Sequence, residues 1–177
     1  MVSHHDGPPW LFALQRPGGA SPRGIIGRVT NPEVFSDAWA HAWGEQLRTS
    51  DEYRSAADTW EGAIALVLEA DAGLGLPESR SVLLDLWHGE CREARAAEPA
   101  DLEGAPFVLQ GAAAVWKRVL EGDLDPLFAL MSGKLQLVRG SVAKMVPYAR
   151  ASKEMVLAAR RIEASYPEGW VAEAGSP

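Results

Sequence analysis

Cysteine is almost missing: Cys91 is the only one in 177 residues. No internal disulfide can form, and a lone thiol fits a reducing cytoplasm, which is the expected compartment. There is no run of about eighteen uncharged apolar residues, which excludes a transmembrane helix. Met1 to Gly7 holds two histidines and an aspartate where a secretory signal has a basic start and an apolar stretch, so none is expected. Basic residues are too few for a nucleic-acid surface: 17 Lys and Arg stand against 24 Asp and Glu, a net charge of -7. What is present is ordinary for a folded soluble chain, with 47% hydrophobic residues and seven tryptophans. This length fits one domain.

The chemistry of bond-making is equally sparse. Gly73-Leu74-Gly75 follows a strand-like run, but Glu78 stands where a dinucleotide loop needs its third glycine, and Pro77 leaves no helix to receive a pyrophosphate. His4, His5, His41 and His88 have no metal-ligand spacing. Cys91 lies between Glu90, Arg92 and Glu93, surroundings that do not activate a thiol. Asp123 and Asp125 flank a glycine-containing break before Pro126, where aspartate serves turns and caps. Asp85 is expected to meet solvent or Arg95 across a hairpin. No catalytic residue, metal ligand or cofactor is therefore expected.

Residues 1–30 are dense in Gly and Pro and read as a flexible arm around one apolar patch, Trp10 to Leu14. Asn31-Pro32 resembles a helix start, after which Phe35, Trp39, Trp43 and Leu47 form an apolar stripe. Ser50 caps a second helix, with Tyr53, Ala56, Ala57 and Trp60 facing inward. Residues 60–69 read as a strand with Ile64, Leu66 and Leu68 on one face. Residues 80–88 carry Val82, Leu84 and Leu86, and a turn at His88-Gly89 leads to a third strand over 91–95, making an antiparallel hairpin. After a loop over 101–106 come a strand at Phe107 to Leu109, a helix over 111–120 with Trp116 inward, and a short helix from Asp125-Pro126. A strand over 134–139 follows, then a long helix from about Ser141 to Tyr166 in which Pro147 introduces a kink or delayed start. The class is α+β with an antiparallel-rich sheet. The expected domain runs over 31–168, with a tail over 169–177.

The most specific stretch joins Gly122 and Asp125-Pro126 to Met131-Ser132-Gly133-Lys134-Leu135 and Gly140. It resembles the signature of the sterol carrier protein type 2 family, a Gly-x-x-Asp-Pro turn, a small-residue helix and a Gly-Lys-Leu strand. Leu84-Asp85-Leu86, with Gly89 and Arg92, is similar to that family's central strand and hairpin. So is the Trp60-ended helix that leads into the strand at Ile64. The order of elements from 31 to about 165 agrees as well. Arg139-Gly140-Ser141 departs from the pattern, since relatives commonly carry an acid after the glycine.

The resemblance implies a mostly antiparallel five-stranded sheet with helices packed on one face around an apolar tunnel. Such a tunnel takes a sterol, fatty acid or acyl-CoA, which it binds and transfers without catalysis. Its floor is expected from Ile64, Leu66, Leu84 and Leu86. Its walls are expected from Phe107, Leu109, Trp116, Leu127, Met131, Leu135 and Leu137, and its roof from Met145, Val146 and Ala149. Lys144, Arg150 and Lys153 are the candidates for a charged head group.

The alternative is an interaction or dimerisation module with a filled core, in which the Trp-rich first helix and the Trp10–Leu14 patch meet a second copy or partner. Charge is also unevenly placed. Residues 60–110 hold three Lys and Arg against ten Asp and Glu, whereas 141–163 hold five against two. The last helix is thus a basic amphipathic element, expected to make transient membrane contact and to gate lipid entry.

Overall fold

The computed structural model describes residues 31–171. The arm over 1–30 and its Trp10–Leu14 patch lie outside the described residues. The centre is a five-stranded sheet in the order β3-β2-β1-β4-β5, formed by β1 (Glu61–Leu68), β2 (Arg80–Trp87), β3 (Glu90–Ala96), β4 (Phe107–Gly111) and β5 (Gln136–Arg139). All neighbours are antiparallel except β1 and β4. The β2–β3 hairpin turns where expected, through His88 at φ 48 and Gly89 at φ 78. A side chain at Gly89 would meet the Arg54 backbone oxygen at 2.4 Å, so the turn also needs glycine for space.

Alternation divides the sheet. Ile64, Leu66, Leu68, Val82, Leu84, Leu86, Phe107 and Leu109 enter the main core. Ala65, Val67, Leu83 and Val108 point the other way into a smaller cluster. The main face is covered by α1 (Asp37–Arg48), α2 (Asp51–Ala56), α4 (Ala113–Glu121), α5 (Pro126–Met131) and α7 (Ala149–Arg160). On the second face, partly buried Leu102 of α3 (Pro99–Gly104) packs on the small cluster.

The caps at Ser50 and Asp125 are as expected: Ser50 Oγ accepts from Tyr53 N at 3.2 Å, and Asp125 from Phe128 N at 2.9 Å. Other boundaries differ. The first helix starts at Asp37 with Ser36 as its cap, because residues 32–34 are drawn into backbone hydrogen bonds with Ser165. Residues 101–106, read as a loop, include most of α3, which opens on Pro99 and is held by reciprocal hydrogen bonds between Glu98 and Asp101. Asp85 is held by Arg92 at 2.7 Å, while Arg95 turns to Asp101, so the expected Asp85–Arg95 pair is not formed.

The single helix expected over 141–166 is replaced by α6 (Val142–Met145), a 3-10 turn (Val146–Tyr148) and α7. Pro147 lacks the N–H that a continuous helix requires and crowds the preceding turn. α7 stops at Arg160, and the chain then runs out to pair Ser165 with Glu33. The expected end of the domain at 168 falls at the start of α8 (Glu168–Val171), whose Trp170 is buried and whose backbone oxygen accepts from Lys117 at 2.6 Å.

Candidate functional site

Between the main face of the sheet and its helices lies a cavity of about 90 Å³. Ile64, Leu66, Leu86 and Leu109 form its floor, where adjoining strands present same-parity side chains to one face. Trp116, Val119 and Leu120 of α4 wall one side, and Leu127 and Leu130 of α5 stand with Leu135 on another. Met145 and Tyr148 lead into the roof, which α7 completes with Ala151, Met155 and Val156.

Five aromatic side chains close the rest. Trp39 and Trp43 of α1 lie 4.9 Å apart, and Phe35 stacks on Trp39 at 5.5 Å while its ring meets Trp116 edge-on. Phe35 holds φ 61, a strained value for a bulky residue, and its buried ring is fixed by these contacts. Tyr53 and Trp60 complete the aromatic shell. Trp60 meets Tyr148 edge-on at 4.9 Å, and the Tyr148 hydroxyl donates to Thr59 O at 3.0 Å, tying the 3-10 turn to the entry of β1.

The polar atoms of these aromatics are largely turned into backbone. Trp43 Nε1 donates to Met155 O at 2.9 Å, Trp60 Nε1 to Gly62 O at 2.7 Å, and Trp116 Nε1 to Val67 O at 2.9 Å. Such bonds satisfy the indoles and leave an apolar surface toward the space. Burial raises the Tyr53 hydroxyl well above the usual phenol range, with nearby Cys91 adding to it. Burial likewise pushes the Cys91 thiol up to about 11, against the opposing pull of Arg48. Both groups are neutral at pH 7, and neither supplies a nucleophile. Among the described residues, no three His, Cys, Asp or Glu side chains come together as a metal site, and no helix is long and apolar enough to cross a membrane.

Of the side chains expected to line a tunnel, Ile64, Leu66, Leu86, Leu109, Trp116, Leu127, Leu135 and Met145 reach the cavity. Leu84 and Phe107 are buried in the surrounding core, and Leu137 packs half-buried against it. Ala149 is half-buried at the start of α7. Met131 and Val146 face outward, 67% and 47% exposed, because α5 and the 3-10 turn give their inward positions to Leu127, Leu130 and Tyr148. Lys144, Arg150 and Lys153 are exposed, and Lys153 lies 3.5 Å from Asp125. Tyr53, Tyr148 and Met155 are lining residues that periodicity does not single out as a site. Trp39 and Trp43, on the Trp-rich helix that the alternative reading turns toward a partner, are buried.

Residues 43–149 match the SCP-2 sterol transfer family. A crystal structure of sterol carrier protein 2 is 46% identical, spanning 73% of this chain and 99% of its own, with a TM-score of 0.67. The solution structure of a conserved hypothetical protein from Thermus thermophilus, described as a candidate sterol carrier protein, is 44% identical. It spans 77% of this chain and 94% of its own, with a TM-score of 0.68. No curated protein matches. These likenesses support lipid binding or transfer in general. With more than half of its length matched, the chain belongs to the SCP-2 sterol transfer family.

Proposed function

We propose that this protein binds a lipid, such as a sterol, fatty acid or acyl-CoA, in the apolar cavity and transfers it without making or breaking bonds. The observation that carries this reading is the lining itself, in which aliphatic and aromatic side chains converge and three indole N–H groups are spent on backbone oxygens. An empty apolar void of about 90 Å³ costs about 2 kcal/mol at ~24 cal/mol per Å³. An occupant recovers that cost and gains about 0.8 kcal/mol for each buried methylene.

The free space is smaller than a full acyl chain, so loading requires a wall to move. The α5–α6 side is suited to this, since it is built from helices of six and four residues beside a four-residue strand. On α7, Met155 adapts its shape to what enters. Lys144 and Arg150, exposed on either side of the lining Met145 and Tyr148, are proposed to meet a carboxylate or phosphate head, with Lys153 further along α7.

Protein purified without detergent is expected to yield lipid on extraction and mass spectrometry, and to take up a fluorescent fatty acid. Leu130→Trp, which fills the cavity from α5, should reduce uptake at least tenfold while the fold persists by circular dichroism. An empty extract together with no uptake by the wild type refutes the reading.

A further inference from the structure

Between Pro126 and Lys153 the chain has five Lys and Arg and no Asp or Glu, against a net charge of -7 for the whole. The same segment contains Phe128, Met131 and Val146, all large, apolar and exposed. α5 brings the two features together. Leu127 and Leu130 line the cavity, while Phe128 and Met131, three positions apart, turn outward at 57% and 67% exposure. The core accounts for one side of this helix and leaves an apolar face on the other. The Lys134 ammonium stands 5.9 Å from the Phe128 ring centre, so a cation flanks the most prominent aromatic on this face. α5 also contacts α6 and α7, which bring exposed Lys144 and Arg150.

We propose that α5 and the α6–α7 junction form a docking face for an anionic lipid bilayer. Phe128 and Met131 enter the boundary between head groups and acyl chains, and Lys134, Lys144 and Arg150 meet the lipid phosphates. Charge complementarity favours this partner: the segment holds five cations and no acid, and the nearest acids along the chain are Asp125, which lies beside Lys153, and Glu154 on α7. The inference rests on the lipid-binding reading and deepens it, because the helix that meets the bilayer is also a cavity wall. A lipid would then pass from membrane to cavity beside α5 without crossing bulk water.

Docking is read by co-sedimentation of the full chain with phosphatidylcholine vesicles, with and without phosphatidylglycerol. Wild-type protein should sediment with the anionic vesicles, weakly with the neutral ones, and less as salt is raised. Each phosphate-facing cation contributes about fivefold to partitioning. The double variant Phe128→Ser with Lys134→Glu should therefore lose at least tenfold, whereas Trp87→Ser, an exposed aromatic on β2, should bind as wild type. Uptake of fatty acid from solution should be unchanged in the double variant, since neither side chain lines the cavity. No sedimentation of the wild type, equal binding to neutral vesicles, or full binding by the double variant overturns the docking face. Loss of fatty-acid uptake by the wild type would instead overturn the lipid-binding reading beneath it.

Discussion

The two sides of the cavity are built differently. On one, α1 lies against β3 and β2 with α2 beside it, burying Trp39, Trp43, Leu47 and Tyr53. There, α1 approaches β3 so closely that a Cβ at Gly44 would sit 2.7 Å from that of Ala94, and Arg48 Nε donates to Cys91 O at 2.8 Å. On the other, β5 has four residues and an irregular register, α5 has six, and α6 has four before the 3-10 turn. Its buried anchors are Leu130 and Leu135 with Ala129, and several large apolar side chains face outward. The first side gains rigidity from close approach and aromatic bulk. The second has less to lose on moving, and it also carries the cationic segment. A carrier needs both, a fixed mould and a wall that yields.

The largest test of that contrast is truncation on each side. Trp39→Ala removes a side chain that is 1% exposed and should cost about 3–5 kcal/mol. Leu127→Ala, from a half-buried position on α5, should cost about 1 kcal/mol, the lower cost following from partial exposure and a wall that can collapse. Urea midpoints at constant slope measure both. Equal losses would mean that the α5 side is as tightly built as the α1 side.

A smaller effect probes the close approach itself. Gly44→Val forces atoms into the α1–β3 contact and should cost about 1–3 kcal/mol through overpacking. Adding Ala94→Gly opens the space a Cβ at Gly44 would strike, so the pair should couple favourably by about 0.5 kcal/mol or more. Strict additivity of the two substitutions would show that α1 shifts freely and that the contact is not tight.

This contrast also explains what can be read from the chain. Ile64, Leu66, Leu86 and Leu109 are legible as a floor because strand alternation is local, and Ser50 and Asp125 are legible as caps because capping is local. The parallel pairing of β1 with β4 depends on a crossover, and the start of α1 depends on Ser165, more than a hundred residues away. No periodicity within either segment reports such partners. α3 escapes because Glu98 and Asp101 make its reciprocal cap without the usual Ser or Thr. The cavity is least legible of all. Leu84 and Leu86 have the same spacing and face, yet Leu84 is surrounded by core and Leu86 borders the space. Which of two equivalent leucines meets a void is decided by what covers each from above. On α5, an uninterrupted run of apolar residues hides which ones turn inward, and so Met131 cannot be told from Leu130.

The smallest expected effect separates the two sides by pH. Arg95 donates to both Asp101 oxygens, at 2.6 and 2.9 Å, and the Glu98 N–H donates to the same carboxylate at 2.7 Å. The guanidinium first, and that backbone bond second, hold the Asp101 pKa down to about 2. An unfolded aspartate titrates near 3.9, so the folded state prefers the ionised form. The resulting stabilisation is fully present above about pH 4 and is lost as pH falls through about 2. Both side chains are partly open to water, 28% and 18% exposed, which limits the contribution to about 0.5–1 kcal/mol. Asp101→Asn should therefore lower stability by that amount at neutral pH and by nothing well below pH 2. Residues 126–153 hold no carboxylate, and the acid that bears on this side is Asp125, which caps α5 and lies beside Lys153, so replacing Asp101 should slacken the join between β3 and α3 and leave the α5–α6 wall unchanged. Hydrogen exchange of the wild type and of Asp101→Asn at neutral pH reads this directly. Loss of protection in α5 and α6 of the variant would show that the yielding wall depends on that distant acid and is not loose by its own construction.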